Sequence, residues 1–152
     1  MEPTVAADGF THFVRDVEPR LRHALIPVLG LEAATEATAE ALAYAWEHWE
    51  RLEPMENPAG YLYRVARSKA RRQARRAPLL PAVPVSELPD VEPGLDRALT
   101  RLSDRQRTAV WLVHGLEWQQ SEVAELLGVS ADTVRTHLER GMKKLQRAMG
   151  EP

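Results

Sequence analysis

The chain has 152 residues, is rich in alanine and arginine, has only 6% aromatic residues and carries a net charge of −2, so one ordinary or two small helix-rich domains are expected. It contains no cysteine, which excludes disulfide bonds and thiolate metal sites. No apolar run is long enough to span a membrane and no secretory leader opens the sequence, so a cytoplasmic location without membrane insertion is expected.

The first half of the chain predicts three helices. Apolar residues recur at three- and four-residue steps over Phe10–Val28, which predicts a helix of about five turns that Pro27 kinks or stops. A second helix is expected over Glu32–Leu52, with small alanines along one side. After a proline-containing loop, Asn57 is expected to cap a third helix that begins at Pro58.

Charge is strongly segregated along this half. Residues 32–56 contain seven glutamates and one arginine, whereas residues 64–76 contain seven basic residues and no acid. Exposed helices normally mix the two signs, so a plain solvated face explains the second segment poorly. The segregation predicts an acidic and a basic surface with different partners. Four arginines of the basic helix share one face and can follow a phosphate backbone: Arg64, Arg67, Arg71 and Arg75.

Residues 77–93 contain five prolines and no helical periodicity, which predicts a linker. Beyond it, four helices are expected, over 95–102, 103–115, 118–127 and 131–149. The last two read as a helix-turn-helix. Gly128 suits a left-handed turn, Ser130 can cap the next helix, and Ala124 lets the two helices approach closely. An ordinary helical hairpin is the alternative.

In a helix-turn-helix the second helix enters the major groove. Arg135 and Thr136 lie in its early turns, where base edges are reached, and arginine can bind guanine in a bidentate manner. Phosphate contacts are expected from Ser130, Thr133 and Arg140. His137 is expected to pack on the inner side of this helix.

In order and spacing, these pieces resemble bacterial extracytoplasmic-function type RNA polymerase sigma factors. Three segments carry the resemblance, Ala45–Arg51, Pro58–Arg67 and Leu102–Arg107, and it extends from about residue 10 to residue 149. It implies an all-α protein of two small helical domains. The expected division is a region-2-like domain over 10–76 for polymerase binding and minus-10 recognition, a linker over 77–93, and a region-4-like helix-turn-helix domain over 94–150 for minus-35 recognition.

The resemblance also implies which residues meet each partner. Promoter contacts of the basic helix are expected from Arg64, Arg67, Ser68, Lys69, Arg71, Arg72 and Arg75. Core polymerase is expected to contact Glu36, Glu40, Leu42, Trp46 and Trp49. Either tryptophan could instead belong to the core of its own domain. Tyr61, Tyr63 and the loop over 53–57 are candidates for receiving unstacked bases, with core packing as the equal alternative for the tyrosines.

The chain departs from the family pattern at three positions. Ala39 stands where a glutamine is usual, Ser68 where many members have asparagine, and Tyr61 where tryptophan is common. The first change affects the expected polymerase contact, and the second affects the choice of promoter base.

Two other readings of the sequence stay open. A helix-turn-helix regulator of the response-regulator output type fits residues 133–138 equally well but does not need segment 61–76. A decoy that holds polymerase without opening DNA is the third reading.

Scattered histidines and the lack of a phosphate loop or nucleophile motif predict no enzyme, no metal site and no cofactor. An anti-sigma factor is left open as a further partner.

Overall fold

The computed structural model of the chain describes residues 3–76 and 94–150. The predicted linker lies outside those residues, as do the side chains of positions 74–76. The described residues form an all-α protein without strands, as the sequence predicts. Its helices are α1 (Pro3–Leu29), α2 (Leu31–Glu47), α3 (Trp49–Leu52), α4 (Pro58–Arg76), α5 (Leu95–Thr100), α6 (Asp104–Val110), α7 (Gln120–Leu127) and α8 (Ala131–Ala148), with a π-helical turn over Trp111–Gly115 after α6.

The amino-terminal domain is built from α1, α2 and α4, which pack on one another. Small residues of α2 are buried against α1, where the lack of a long side chain permits close approach: Ala34, Ala37, Ala41 and Ala45. Leu21 and Leu25 of α1 and Leu62 of α4 are fully buried beside them. The predicted apolar faces of the first two helices are therefore confirmed.

In the amino-terminal domain, the start of the first helix and the continuity of the second differ from the prediction, whereas the break at Gly30 is as expected. Helix α1 begins at Pro3 and continues through Pro27 to Leu29. A proline inside a helix removes one backbone donor, whereas Gly30, with a φ of 84°, breaks the helix outright. The predicted second helix is divided at His48, whose φ of −119° and ψ of 24° are not helical, so that α3 forms a separate turn.

The carboxyl-terminal domain begins with a capped α6. Ser103 accepts a hydrogen bond from the backbone N–H of Gln106, and the Gln106 side chain accepts one in return from Ser103 N. Helix α8 packs closely on α6, since a Cβ at Gly141 would lie 2.9 Å from Val110 Cγ2. The continuous helix predicted over 103–115 changes to a π turn at Trp111, and the one predicted from Trp118 begins at Gln120.

The two domains are in direct contact. Helix α1 packs on α6, and the basic helix α4 packs on α7, the first helix of the helix-turn-helix. Buried apolar residues of both domains form one continuous cluster. The contact places the basic helix α4 beside the first helix of the helix-turn-helix.

Candidate nucleic-acid and protein interfaces

The turn between α7 and α8 has the geometry of a helix-turn-helix. Gly128 ends α7 in the left-handed region, with a φ of 70°. Ser130 Oγ accepts a hydrogen bond of 3.1 Å from Thr133 N and so caps α8. Val123, Ala124, Val134 and Leu138 are buried between the two helices. The predicted turn, cap and inner face are therefore confirmed.

The outer face of α8 presents the predicted base-reading residues to solvent. The Arg135 side chain is 62% exposed and forms a 2.8 Å ion pair with Asp132 one turn earlier. An exposed pair of this kind contributes little, so a guanine edge can replace the carboxylate. Thr136 and Arg140 are also exposed, although the Thr136 hydroxyl donates to Asp132 O at 3.0 Å. The outer face of α8 is therefore open to solvent in the described residues.

Three other residues in or next to α8 have polar groups or rings engaged within the domain. The hydroxyls of Ser130 and Thr133 lie 2.8 Å apart and share a hydrogen bond. His137 is half-buried, and burial, followed by Arg105 and Arg140, lowers its pKa below the ordinary 6.5. Packing of its ring, as predicted, accounts for this shift.

Helix α4 supplies most of a basic cleft of about 390 Å³, which α6 and α7 complete. The residues that line the cleft are Tyr63, Arg64, Arg67, Ser68, Arg71, Arg72, Arg105 and Leu127. Five of the predicted α4 residues are exposed to solvent, namely Arg64, Ser68, Lys69, Arg71 and Arg72. Arg67 differs, because only 15% of its side chain is exposed. The side chain of Arg75 lies outside the described residues.

Asp104 of α6 forms ion pairs with two of the arginines that line this cleft. Its carboxylate lies 3.2 Å from Arg67 Nη2, 3.7 Å from Arg71 Nη2 and 3.5 Å from Arg107 Nη1. Asp104 also occupies the first turn of α6. The pair with Arg107 is local, at i and i+3 of α6. No local pattern in the sequence signals the pairs with Arg67 and Arg71, because a first-turn acid is common wherever a helix begins.

The two tyrosines predicted as candidates for receiving unstacked bases differ in burial. Tyr63 is only 2% exposed, and burial raises its pKa above the ordinary 10.0, so we assign it to the core. Tyr61 is half-buried, and its hydroxyl lies 3.2 Å from that of Tyr44, a contact that raises the pKa of Tyr61. Arg51 donates to the Tyr44 hydroxyl. Tyr44 and Arg51 were missed as site residues, because they lie in different helices, α2 and α3, on either side of the break at His48.

The side chain of Asn57, in the loop before α4, forms one hydrogen bond within its own domain and one with the other domain. Its side-chain oxygen accepts from Gly60 N at 2.9 Å, which confirms the predicted cap of α4. Its side-chain nitrogen donates to the backbone oxygen of Glu125 in α7 at 2.6 Å. The second bond could not be foreseen from the sequence, since its partner lies 68 positions away.

The two tryptophans of the predicted polymerase surface also differ in exposure. Trp46 is 55% exposed, with its ring centroid 5.0 Å from that of Phe10. Trp49 is only 8% exposed and packs against Phe10 and Phe13. The assignment of Trp49 to the surface is therefore corrected, because α1 covers its ring. Glu36 and Glu40 are exposed, and Leu42 is half-buried.

Within residues 3–76 and 94–150, no group of histidine and acidic side chains is arranged to hold a metal ion. No helix in that part of the chain is long and apolar enough to cross a membrane.

Comparison with known proteins gives matches in both domains. The family model for sigma-70 region 2 matches residues 13–78, and the model for sigma-70 region 4 matches residues 94–145. The chain is 34% identical to the RNA polymerase sigma-E factor of Streptomyces coelicolor over 117 residues, which are 70% of this chain and 66% of that protein. The sigma-E factor of Streptomyces antibioticus is also 34% identical, over 70% of this chain and 64% of its own length.

A similar fold occurs among solved structures. The sigma factor RpoE of Bartonella quintana, in complex with the anti-sigma factor NepR, aligns with a TM-score of 0.63 at 21% identity. The alignment covers 93% of this chain and 96% of that one. At this level of identity the likeness concerns the fold.

Proposed function

We propose that this chain, which belongs to the sigma-70 family, binds core RNA polymerase and directs it to specific promoters. The observation that carries the proposal is the presence of three different surfaces on one chain. They are the exposed α8 of a helix-turn-helix, the basic helix α4, and an exposed tryptophan on an acidic helix. A repressor or activator that acts through DNA alone needs only the first surface.

Each of the three surfaces has its own role in this proposal. Helix α8 reads duplex DNA at the minus-35 element, where Arg135 and Thr136 reach base edges and Arg140 binds phosphate. Helix α4 holds the minus-10 strand as the duplex opens, with Arg64, Arg71 and Arg72 on its phosphates. Ser68 lies among these arginines and is placed to influence the choice of base.

Unstacked bases need a flat partner as the strands separate. Tyr61 and Tyr44 provide partly exposed rings beside the loop over 53–57. Lys69 Nζ lies 5.3 Å from the centre of the Tyr44 ring, so a cation is already positioned there. We propose this pair, and not Tyr63, as the site that receives a base.

The polymerase surface is centred on Trp46, with Leu42 beside it and Glu36 and Glu40 on the neighbouring face of α2. A large exposed aromatic ring rimmed by charge is typical of the residues that dominate binding energy at interfaces. Ala39, where the family usually has glutamine, alters the hydrogen bonds available on this helix. An anti-sigma factor is a further partner, and the function places the chain in the cytoplasm without a catalytic role.

Run-off transcription tests the proposal. Core polymerase is combined with the purified chain and a promoter library, and specific transcripts are expected only when both are present. A response-regulator type protein would instead bind duplex DNA tightly by itself and show no affinity for core polymerase, and that result would overturn the proposal.

A further inference from the structure

We infer that Asp132 is a specificity-determining residue of helix α8, which reads one base pair of the duplex together with Arg135. Arg135 contacts the base that carries a carbonyl group in the major groove, and Asp132 contacts the amino group of the pairing base. The inference rests on the proposed role of α8 in reading duplex DNA. It adds a second reader and the chemistry of the base pair that the two residues select.

The carboxylate of Asp132 is not the cap of its helix. Ser130 Oγ accepts the hydrogen bond from Thr133 N and so satisfies the first turn of α8. The Asp132 side chain is 82% exposed and lies beside the exposed guanidinium of Arg135. A first-turn acid also interacts favourably with the helix dipole, but that interaction needs no arginine three positions later. The acid therefore lies on the outer face of α8, in the early turns that contact base edges in a helix-turn-helix.

The ion pair places a donor and an acceptor at the spacing that a base pair offers. Arg135 Nη2 lies 2.8 Å from Asp132 Oδ1. In the major groove a G·C pair presents guanine O6 and N7 as acceptors and the cytosine N4 amino group as a donor. O6 and N4 are themselves joined by a hydrogen bond of about 2.9 Å. The side-chain donor and acceptor are therefore about as far apart as the base acceptor and donor that they would contact.

Both side chains keep free positions while they are paired. A guanidinium has several N–H donors and an ionised carboxylate has several lone pairs, whereas the contact between them uses one atom of each group. Arg135 can therefore donate to guanine O6 and N7 while an Asp132 oxygen accepts from cytosine N4. Because the pair already exists in the free chain, less side-chain freedom is lost on binding.

The four base pairs differ in the order of their carbonyl and amino groups across the groove. Read from the base that faces Arg135, G·C and T·A place a carbonyl at Arg135 and an amino group at Asp132, and only guanine adds N7 as a second acceptor. A·T and C·G place donor against donor and acceptor against acceptor. Adenine still offers N7 to Arg135, and cytosine does not. The expected ranking is therefore G·C, then T·A, then A·T, with C·G last.

Asp132 contributes mainly by rejecting the two reversed pairs. An arginine alone still finds N7 in adenine, and it can turn to a phosphate where the base edge does not fit. A carboxylate that faces a carbonyl oxygen has lost water without gaining a donor, and such an unpaired charge is costly. The phosphates of every duplex also repel it. Asp132 therefore lowers affinity for DNA in general, and least for the pairs that offer it an amino group.

Sequencing of bound duplexes from a pool with a randomised minus-35 region measures the ranking. The full chain is tested both in complex with core polymerase and alone. Asp132→Ala is expected to tighten binding to all duplexes and to reduce the discrimination between G·C and C·G about tenfold at one position, within the range for a base-edge contact. Arg135→Ala is expected to relax the base preference at that same position.

Glu139→Ala is the matched control for the change in charge. Glu139 is an exposed acid on the same face of α8, about two turns beyond Asp132. Its loss should tighten binding to every duplex by a similar factor and leave the discrimination between base pairs unchanged. Asp132→Asn keeps the shape of the side chain, which guards against a folding defect. Because an amide can either donate or accept, this variant should also lose the preference between G·C and C·G.

The outcomes separate this inference from the proposed function. Equal tightening on all base pairs by Asp132→Ala and Glu139→Ala would overturn the inference, because repulsion by phosphates would then be the whole effect. A loss of discrimination at a position other than that of Arg135 would also overturn it. Selection of G·C by the chain alone, together with no affinity for core polymerase, would keep the inference and reject the sigma-factor role.

Discussion

Arg67 of α4 and Asp104 of α6 are joined by a 3.2 Å ion pair that crosses from one domain to the other. The same carboxylate also forms ion pairs with Arg71 and Arg107, so one carboxylate contacts three guanidinium groups. A helix proposed to bind DNA therefore has part of its charge occupied within the free chain.

Replacing Arg135 with alanine should weaken binding to the preferred minus-35 duplex by about 1–3 kcal/mol and relax base preference at one position. The reason is the loss of a guanidinium that can bind guanine through two bonds. Titration of the full chain, in complex with core polymerase, with a set of single-base variants of the duplex measures both effects. An equal loss on every duplex would show that Arg135 contacts phosphate only.

Replacing Trp46 with alanine should weaken binding to core polymerase by about 2 kcal/mol or more, as expected for a central aromatic contact. Leu31→Ala is the matched control, since Leu31 is also a large exposed apolar residue of α2, 49% exposed against 55% for Trp46. Fluorescence anisotropy with labelled protein gives both affinities. Equal losses for the two variants would remove Trp46 from the proposed interface.

Changing Arg71 and Arg72 to glutamate should leave polymerase binding intact and prevent the opened strand from being held, because like charges repel. The alanine versions should lie between the glutamate variant and the parent. Open-complex lifetime after a heparin challenge measures the effect. If the glutamate variant forms open complexes as stable as those of the parent, these arginines do not hold the strand.

Gly128→Ala should lower the free energy of unfolding by about 1–2 kcal/mol, because a side chain disfavours the left-handed conformation at a φ of 70°. The alanine Cβ would also displace Arg64. Gly9→Ala is the control in the same chain. Gly9 lies in α1, and a Cβ added there would have nothing within 4 Å, so alanine should stabilise by up to about 1 kcal/mol. Urea unfolding of both variants tests the opposite signs.

Stability should fall as the pH drops below 6.5. Burial lowers the pKa of His137 and of His23 in the folded chain below that ordinary value. The unfolded chain therefore takes up protons first, and the stability that these neutral rings provide above pH 6.5 is lost as the pH falls through their folded pKa values. His137→Gln should reduce the difference in unfolding free energy between about pH 7.5 and about pH 5.5. An unchanged difference would mean that His137 does not couple folding to pH.

Local features of the fold could be predicted from the sequence because their partners lie a few residues away. Gly128 ends α7, Ser130 caps α8, and Asn57 caps α4, all as expected from turn and cap chemistry. The helical class and the buried alanines of α2 follow from periodicity in the same way.

Features that depend on distant packing could not be predicted. Trp46 and Trp49 have similar local surroundings, and only the position of Phe10 and Phe13 on α1 decides that Trp49 is buried. Tyr63 is also buried by packing in the folded chain, which its local sequence does not reveal. The ion pairs of Asp104 with Arg67 and Arg71 depend on how the two domains meet, which no sequence spacing encodes.

Permanganate reactivity of thymines near a start site tests the central proposal most directly, because it reports promoter opening itself. Core polymerase and this chain together are expected to make thymines of the minus-10 region reactive on a specific template, and neither component alone should do so. Reactivity that is absent with both components, while the chain alone protects the same duplex, would contradict the sigma-factor function and favour a regulator that acts on DNA alone.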